Sequence, residues 1–154
     1  MHPHEILITR FYQAFHQRDF KVMQDAYHSE AIFSDPAFIN LSSREVRGMW
    51  QMLLTSAKDL EVTFSSVRAD DNSGKARWEA HYTFTLTGRK VHNIIDAEFI
   101  FRDGKIFRHE DRFNFWRWSR MALGLKGVLL GWSPLVINKV RRTARGRLDK
   151  FLAS

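Results

Sequence analysis

The chain has 154 residues and a net charge of +7, and its 44% hydrophobic and 27% charged residues predict a globular domain rather than a disordered chain. It contains no cysteine, which excludes disulfide bonds and thiolate chemistry. The N-terminus lacks the basic and apolar regions of a secretory signal, and no apolar run is long enough to span a membrane, so we expect a cytoplasmic location.

Two helices and a short strand are predicted for the first part of the chain. Apolar residues recur at helical spacing over residues 4–16, and Asp19 is suited to cap a second helix over residues 21–27. Residues 31–35 form a short strand that stops at Pro36, because proline cannot donate a backbone hydrogen bond to a sheet.

A third helix is predicted to begin at Ser42 or Ser43. Glu45 is placed to complete a capping box with the serine, a pattern typical of helix starts. The spacing of the apolar residues predicts that one face of this helix is buried, and this face carries Val46, Met49, Trp50, Leu53 and Leu54.

Four long strands with alternating residue character are predicted next, over residues 60–67, 77–86, 91–101 and 105–116. A tight hairpin turn joins the last two strands, because Asp103-Gly104 favours the positive φ angles of such turns. On the last strand, alternation places an aromatic and titratable set on one face: Phe107, His109, Asp111, Phe113 and Phe115. An ordinary core avoids unpaired charges, so this face is predicted to line a pocket.

The first two of these strands each have an apolar and a polar face. The apolar face is expected to meet the helices, and it carries Leu60, Val62, Phe64, Trp78, Ala80, Tyr82, Phe84 and Leu86. The polar face is either solvated or a subunit contact, which makes a homodimer a hypothesis, and it carries Glu61, Thr63, Ser65, Glu79, His81, Thr83 and Thr85. The order of elements predicts an α+β domain with helices on one face of a curved, mostly antiparallel sheet.

The net positive charge belongs to the C-terminal part of the chain. Residues 1–116 carry 15 positive and 16 negative side chains, whereas residues 117–154 carry nine positive and one negative. Three glycines interrupt an apolar stretch over residues 121–132, and Ser133-Pro134 starts a basic amphipathic helix over residues 135–152. We therefore expect a domain over residues 1–116 and a helical extension of the same domain over residues 117–154.

The basic helix has three interpretations. It packs over the domain with a solvated basic side, it contacts a membrane surface, or it binds nucleic acid. Only Phe151 offers a ring for base stacking near the charges, so no nucleic-acid partner is predicted. Packing over the domain is the preferred interpretation, and membrane contact is the alternative.

Six segments carry a resemblance to a known family: FYQAF (11–15), YH (27–28), FSDP (33–36), TGR (87–89), FIFRDGKI (99–106) and HEDRF (109–113). With the order of elements, they make residues 4–116 resemble the SnoaL-like branch of the NTF2-like superfamily, which also contains the ketosteroid isomerases. The tail resembles that of a bacterial subgroup of uncharacterised SnoaL-like proteins. The resemblance implies a cone-shaped, cystatin-like fold in which a bent sheet wraps around the N-terminal helices and encloses a ligand cavity.

The resemblance also implies positions for the chemistry. Asp35 lies where ketosteroid isomerases place the carboxylate that moves a proton next to a carbonyl group. The tyrosine and the neutral acid that bind the oxyanion in those enzymes would fall on Phe11 and Ala97, which have no donor group. Asp111 matches an acid of limonene epoxide hydrolase-like enzymes, whose arginine and aspartate partners would fall on Ile95 and Ala97.

The candidate catalytic residues are Asp35, His109 and Asp111. As a general base, Asp35 needs an apolar site that raises its pKa, whereas in the alternative it only fixes the turn before Pro36. His109 and Asp111 are either an acid–base couple or a buried pair that satisfies its own hydrogen bonds. The candidate ligand-binding residues are Phe11, Phe15, Phe33, Trp50, Trp78, Tyr82, Asn93, Phe99 and Phe113.

The sequence thus predicts a small-molecule-binding protein with an apolar pocket. It is either a cofactor-free isomerase or hydrolase that uses carboxylate acid–base chemistry, or a non-catalytic module for ligand binding or dimerisation. The expected ligand is a small apolar molecule, and a carbonyl group on it would suit the polar residues of the pocket. No cofactor and no metal are predicted, because the histidines lack metal-ligand spacing.

Overall fold

The computed structural model of the chain describes residues 1–154 and contains six helices and six strands. The helices are α1 (Pro3–His16), α2 (Phe20–Asp25), α3 (Ser43–Ser56), α4 (Phe115–Leu123), α5 (Leu125–Leu130) and α6 (Pro134–Ala153). The strands are β1 (Tyr27–Ser34), β2 (Leu41–Ser42), β3 (Glu61–Ala69), β4 (Ser73–Phe84), β5 (Arg89–Arg102) and β6 (Lys105–Arg112).

All six strands form one sheet with the order β2-β1-β6-β5-β4-β3. The β1–β6 pair is parallel, and every other pair is antiparallel. Register shifts interrupt the β1–β6, β3–β4 and β5–β6 pairs, and irregularities of this kind bend strands. The predicted α+β architecture with a curved, mostly antiparallel sheet is therefore confirmed.

Helices α2 and α3 begin at the capping residues that the sequence predicted. At the start of α2, the Asp19 carboxylate accepts a hydrogen bond from the Val22 N–H at 3.3 Å. At the start of α3, Ser42 Oγ accepts a hydrogen bond from the Glu45 N–H, and Glu45 Oε1 accepts one from the Ser42 N–H at 2.9 Å. These bonds satisfy N–H groups that the first turn of a helix leaves unpaired.

The predicted hairpin between β5 and β6 is also present. Its turn residues Asp103 and Gly104 have φ angles of 53° and 72°. Positive values at both positions match the hairpin turn that Asp-Gly favours. The turn sets β6 against β5, and His109 and Asp111 of β6 are both buried.

The prediction that Phe107 shares the inner face with His109 was wrong. Phe101 pairs with Ile106 whereas Ile100 pairs with Arg108, so Phe107 has no partner on β5. An extra residue of this kind reverses the alternation on one side of it. The guanidinium groups of Arg102 and Arg108 cover the Phe107 ring, at 3.7 Å and 4.2 Å from its centre.

The predicted extension of the last strand to residue 116 was also wrong. The strand ends at Arg112, and Asn114 becomes the N-cap of α4. The Asn114 Oδ1 atom accepts a hydrogen bond from the Arg117 N–H at 3.0 Å. Phe115 is therefore the first residue of α4 and not part of the last strand.

The main apolar core lies between the N-terminal helices and the inner face of the sheet. Its largest fully buried rings are Phe11, Tyr12, Phe15, Tyr27, Phe33 and Phe99. Burying one such side chain contributes roughly 1.5–3 kcal/mol, so these rings supply a large part of the driving force for folding.

The C-terminal helices pack on the domain. The break between α4 and α5 falls at Gly124, with a φ angle of 68°, which agrees with the predicted interruption by glycine. Helix α6 begins after the Ser133 cap, as predicted, and lies against α3, where Gly48 leaves room for the Leu152 side chain. Leu148 of α6 belongs to the main core, so the extension and the domain share one interior.

None of the helices combines the length and the apolar character needed to cross a membrane.

Candidate functional site

A cavity of about 200 Å³ lies between α3, the inner face of the sheet, and helices α4 and α6. Of the 18 residues in its wall, 15 are hydrophobic, and the three others are Asp35, Asn93 and Asp111. The hydrophobic residues are Ala37, Phe38, Met49, Trp50, Met52, Leu53, Leu60, Trp78, Ala80, Tyr82, Ile95, Phe113, Phe115, Trp118 and Val140. An apolar hollow with a few polar groups is the usual form of a small-molecule site.

Asp35 stands directly after β1, at the start of a turn. Its Oδ1 atom accepts hydrogen bonds from the N–H groups of Ala37 and Phe38, both at 2.7 Å, and its own N–H donates to the Phe38 carbonyl at 2.8 Å. This is the turn-fixing arrangement that one interpretation of the sequence predicted. The Oδ2 atom has no hydrogen-bond partner in the protein, so the same carboxyl group also offers a free oxygen to the cavity.

Burial in the cavity wall raises the pKa of Asp35 from 3.8 to about 7. The negative charge of Asp111 raises it further, whereas the N–H groups of Phe38 and Ala37 and the charge of Arg141 lower it. Arg141 lies beside the turn, since its Nε atom donates to the Pro36 carbonyl at 2.9 Å. A carboxyl group with a pKa close to neutral pH is suited both to accept and to return a proton.

Asp111 is fixed by a chain of buried hydrogen bonds. His109 Nε2 lies 2.9 Å from Asp111 Oδ1, and His109 Nδ1 lies 2.8 Å from the Tyr27 hydroxyl. The indole of Trp50 donates to the same hydroxyl at 2.9 Å, and the indole of Trp78 donates to Asp111 Oδ1 at 3.4 Å. The chain joins α3, β1, β4 and β6, so it holds the carboxylate in one orientation.

The hydrogen-bond partners of His109 determine its tautomer. A carboxylate only accepts, so His109 Nε2 donates to Asp111 Oδ1, and Nδ1 of the neutral ring accepts from the Tyr27 hydroxyl, whose oxygen accepts from the Trp50 indole. The proton of the neutral ring is then on Nε2 and is donated to Asp111. His109 therefore orients Asp111 from behind, and its own side chain is fully buried and is not part of the cavity wall.

Two further polar groups of the cavity have unused hydrogen-bonding capacity. The Tyr82 hydroxyl accepts a hydrogen bond from the Trp118 indole at 2.8 Å, and its own proton has no acceptor in the protein. Burial raises the pKa of Tyr82, and the charge of Asp35 adds to this, so the phenol stays protonated. The Asn93 side chain is buried in the wall and makes no hydrogen bond to the protein.

The candidate ligand-binding residues of the sequence divide into two groups. Five of them line the cavity: Trp50, Trp78, Tyr82, Asn93 and Phe113. Four others lie in the close-packed core beside it: Phe11, Phe15, Phe33 and Phe99. Helix α1 accounts for the difference, because its aromatic residues fill that end of the inner face with edge-to-face ring contacts.

Several wall residues were not predicted from the sequence as ligand contacts. Phe115 and Trp118 close one end of the cavity from α4, and Val140 contributes from α6. The spacing of Phe115 and Trp118 fits one helix face, and Val140 belongs to the predicted apolar stripe of the basic helix. The sequence therefore contained a signal for their burial but none for their position over the sheet.

A second polar cluster lies on the opposite, outer face of the sheet. Register pairs His81 with His92, and the ligand atoms of Glu79, His81 and His92 all lie within 4.8 Å of one another. His92 Nε2 is 2.7 Å from Glu79 Oε1, and the two imidazole rings stack with centres 4.0 Å apart. Spacing along the chain did not predict this cluster, because it joins two strands. It lies away from the cavity and takes no part in it.

Comparison with known proteins gives one family match. The family model of the SnoaL-like domain matches residues 8–109, which is more than half of the chain. No curated protein sequence matches the chain.

Solved structures give likenesses of fold. An NTF2-like protein of unknown function from Burkholderia pseudomallei has a TM-score of 0.69 and 16% identity, with 79% of this chain and 98% of that chain covered. The proposed polyketide cyclase IdmH from Streptomyces antibioticus has a TM-score of 0.65 and 18% identity, with 81% of this chain and 100% of that chain covered. An LEH-like epoxide hydrolase from Mycobacterium tuberculosis has a TM-score of 0.61 and 18% identity, with 86% of this chain and 93% of that chain covered. At such low identity these likenesses show the fold alone.

Proposed function

This chain belongs to the SnoaL-like domain family, and from that premise we propose that it binds a small apolar carbonyl compound in the cavity and moves a proton on it without a cofactor. The observation that carries the proposal is the cavity itself. It is almost wholly apolar, and one of its three polar residues is an aspartic acid whose pKa is raised to about 7. The proposal includes the cytoplasmic location expected from the sequence.

The size of the cavity limits the ligand. Its volume of about 200 Å³ is below the usual range for drug-sized ligands, roughly 300–1,000 Å³. A compact ligand of one or two rings fits this volume better than a long or multi-ring one. The apolar wall favours burial of the ligand's carbon skeleton, and the polar residues orient its oxygen.

Asp35 is the general base in this proposal. Its free Oδ2 atom takes a proton from the carbon next to the carbonyl group, and negative charge develops on the carbonyl oxygen. Tyr82 and Asn93 are the two side chains of the wall with donors to spare, so they stabilise that oxygen. They replace the oxyanion donors that are absent at Phe11 and Ala97.

Asp111 has a supporting role in this scheme. Its charge raises the pKa of Asp35 and so keeps the base close to neutral pH. Activation of water by Asp111 itself, as in an epoxide hydrolase, has less support. The positions that would hold its arginine and aspartate partners are Ile95 and Ala97, and both are buried apolar residues.

A non-catalytic ligand-binding module is the second candidate. It is favoured by the internal use of both carboxylates, since Oδ1 of Asp35 fixes a turn and Oδ1 of Asp111 closes the His109 chain. In that case the cavity binds the same class of ligand, and the acids serve only the fold.

Exchange of α-protons in D₂O separates the two candidates. With 3-cyclohexen-1-one as the probe, we expect wild-type protein to catalyse exchange and double-bond migration, followed by proton NMR. Asp35→Asn should slow both by about 10²–10⁴-fold, because it removes the base. Asp111→Asn should slow exchange and migration less than Asp35→Asn does, because it affects them only by changing the pKa of Asp35.

Asp25→Asn is the matched control, because Asp25 is exposed and is not part of the cavity wall. It should leave the exchange rate unchanged. Binding of the probe, measured by calorimetry, should persist in all three variants. Binding without exchange in the wild type would instead support the non-catalytic module.

We also infer that residues 117–154 complete the cavity rather than form a separate unit. Trp118 and Val140 are part of its wall, and Leu148 is part of the main core. Residues 1–116 would then bind ligand only when residues 117–154 are present.

A homodimer through the outer face of the sheet is part of the proposal. Its basis is the row of Glu79, His81 and Thr83, which alternates with buried residues on β4. Light scattering at micromolar concentration should give twice the chain mass of 18.2 kDa. A mass of 18.2 kDa under those conditions would contradict the dimer.

A further inference from the structure

The region around α5 exposes an unusual number of large apolar side chains. Of the 13 exposed large hydrophobic residues in the chain, seven lie between positions 116 and 135, and they are between 40% and 79% exposed. We call them the apolar patch: Trp116, Leu125, Val128, Leu129, Leu130, Trp132 and Leu135. Single exposed apolar residues are ordinary, but a contiguous group marks a surface that another molecule covers.

Helix α5 has its amphipathic pattern reversed relative to an ordinary surface helix. Leu125, Val128 and Leu129 share one face of α5, Trp132 follows in the turn after it, and all four are exposed. The other side carries buried glycines, and Gly127 packs so closely on the Ser119 carbonyl that a side chain would not fit. The glycines therefore dock α5 on α4 and turn its leucine face outward.

The outer side of α6 continues this surface as a cationic face. At 100° per residue, Leu135, Lys139, Arg142 and Lys150 lie on the side opposite the buried stripe. The outward basic residues have no carboxylate within 4.0 Å, unlike Arg145, which pairs with Glu45 and Asp149. They are Lys139, Arg142 and Lys150, with Lys126 on α5.

We propose that the apolar patch and the cationic face together dock the protein on an anionic phospholipid bilayer. The leucine and tryptophan side chains would enter the boundary between headgroups and acyl chains, and the lysine and arginine side chains would contact lipid phosphates. Charge selects this occupant over a second copy of the chain, because residues 117–154 carry nine positive and one negative side chain and two copies would repel each other. The surface lies outside the cavity, so the proposal does not rest on the cavity's ligand.

Vesicle flotation of the full chain tests the proposal. Wild-type protein should float with phosphatidylcholine vesicles containing about 30% phosphatidylglycerol, and bind pure phosphatidylcholine at least about tenfold more weakly. The double variant Leu129→Gln/Trp132→Gln should reduce binding at least about tenfold through loss of inserted apolar area. Lys139→Gln/Arg142→Gln should reduce the preference for anionic vesicles and its dependence on salt.

Ile100→Thr is the matched control, because Ile100 is an exposed apolar residue on the sheet, away from the patch. It should bind vesicles like the wild type. All the substituted side chains are exposed, and an unchanged circular dichroism spectrum would exclude loss of folding as the cause.

Three results would overturn the proposal. One is an absence of flotation with anionic vesicles, and another is flotation that Leu129→Gln/Trp132→Gln leaves intact. The third is an oligomer that this double variant converts to a monomer while no form of the protein binds vesicles, which would assign the patch to a second copy.

Discussion

Replacing Asp35 with asparagine is expected to raise the free energy of unfolding above neutral pH by up to about 4 kcal/mol, and to leave it nearly unchanged below about pH 4. The asparagine keeps an oxygen for the Ala37 and Phe38 N–H groups but carries no charge. Wild-type Asp35 must ionise in an apolar wall as the pH rises, and the variant avoids that cost.

The direction follows from the raised pKa. Burial raises the pKa of Asp35 from 3.8 to about 7, so between these values the folded protein binds more protons than the unfolded chain. The stability contributed by this group is therefore fully present below pH 3.8, falls as the pH rises, and is lost above about pH 7. Urea unfolding at several pH values measures the difference between the two proteins.

Asp35→Ala provides the control for the turn. It removes the charge and both hydrogen bonds, so its stability should be lower than that of Asp35→Asn by about 1–3 kcal/mol at every pH. Other titrating groups are common to all the proteins and cancel in the comparison. Parallel stability curves for wild type and Asp35→Asn would show that the carboxyl group is not buried in a folded cavity.

Replacing Asp111 with alanine is expected to lower the free energy of unfolding by about 3 kcal/mol. The change leaves the Nε2–H of His109 and the indole N–H of Trp78 without an acceptor inside the protein. Unfilled donors in a dry interior are costly, because in the unfolded chain water satisfies them. Urea unfolding at neutral pH gives the value.

Asp111→Asn tests whether the acceptor or the charge matters. Its amide oxygen accepts from the same two donors, so the loss should be no more than about 1 kcal/mol. A loss as large as that of Asp111→Ala would mean that these buried hydrogen bonds depend on the negative charge of Asp111, and hence on a protonated His109. Proton chemical shifts of the imidazole would then show both ring nitrogens protonated.

Much of the fold was predictable because its determinants are local. The caps at Asp19 and Ser42 act through neighbouring N–H groups, and the Asp103-Gly104 turn acts through its own backbone angles. Alternation on β4 separates Trp78 and Ala80 from Glu79 and His81, and the structure keeps that separation. Each of these signals needs only a few consecutive residues.

The candidate site was predictable in part. Asp35, Asp111, Trp50, Trp78 and Tyr82 were named from faces and from family resemblance, and all of them line the cavity. Other aromatic residues that were predicted to bind ligand do not line it. The sequence pattern predicts that a side chain faces inward, but not whether a helix or the cavity lies opposite. The position of α1 decided that Phe11 and Phe99 became core.

The sequence by itself determined most of the elements, the caps at Asp19 and Ser42, the inner face of β4 and the family, since period, capping chemistry and motif are properties of short segments. Only the tertiary structure decided that an unpaired residue on β6 turns Phe107 off the inner face, and that His109 lies behind Asp111. It also brought Trp118 and Val140 over the end of the sheet. These outcomes depend on contacts between segments that are far apart in the chain. The local sequence pattern is compatible with several arrangements of those segments, and close packing allows only one of them.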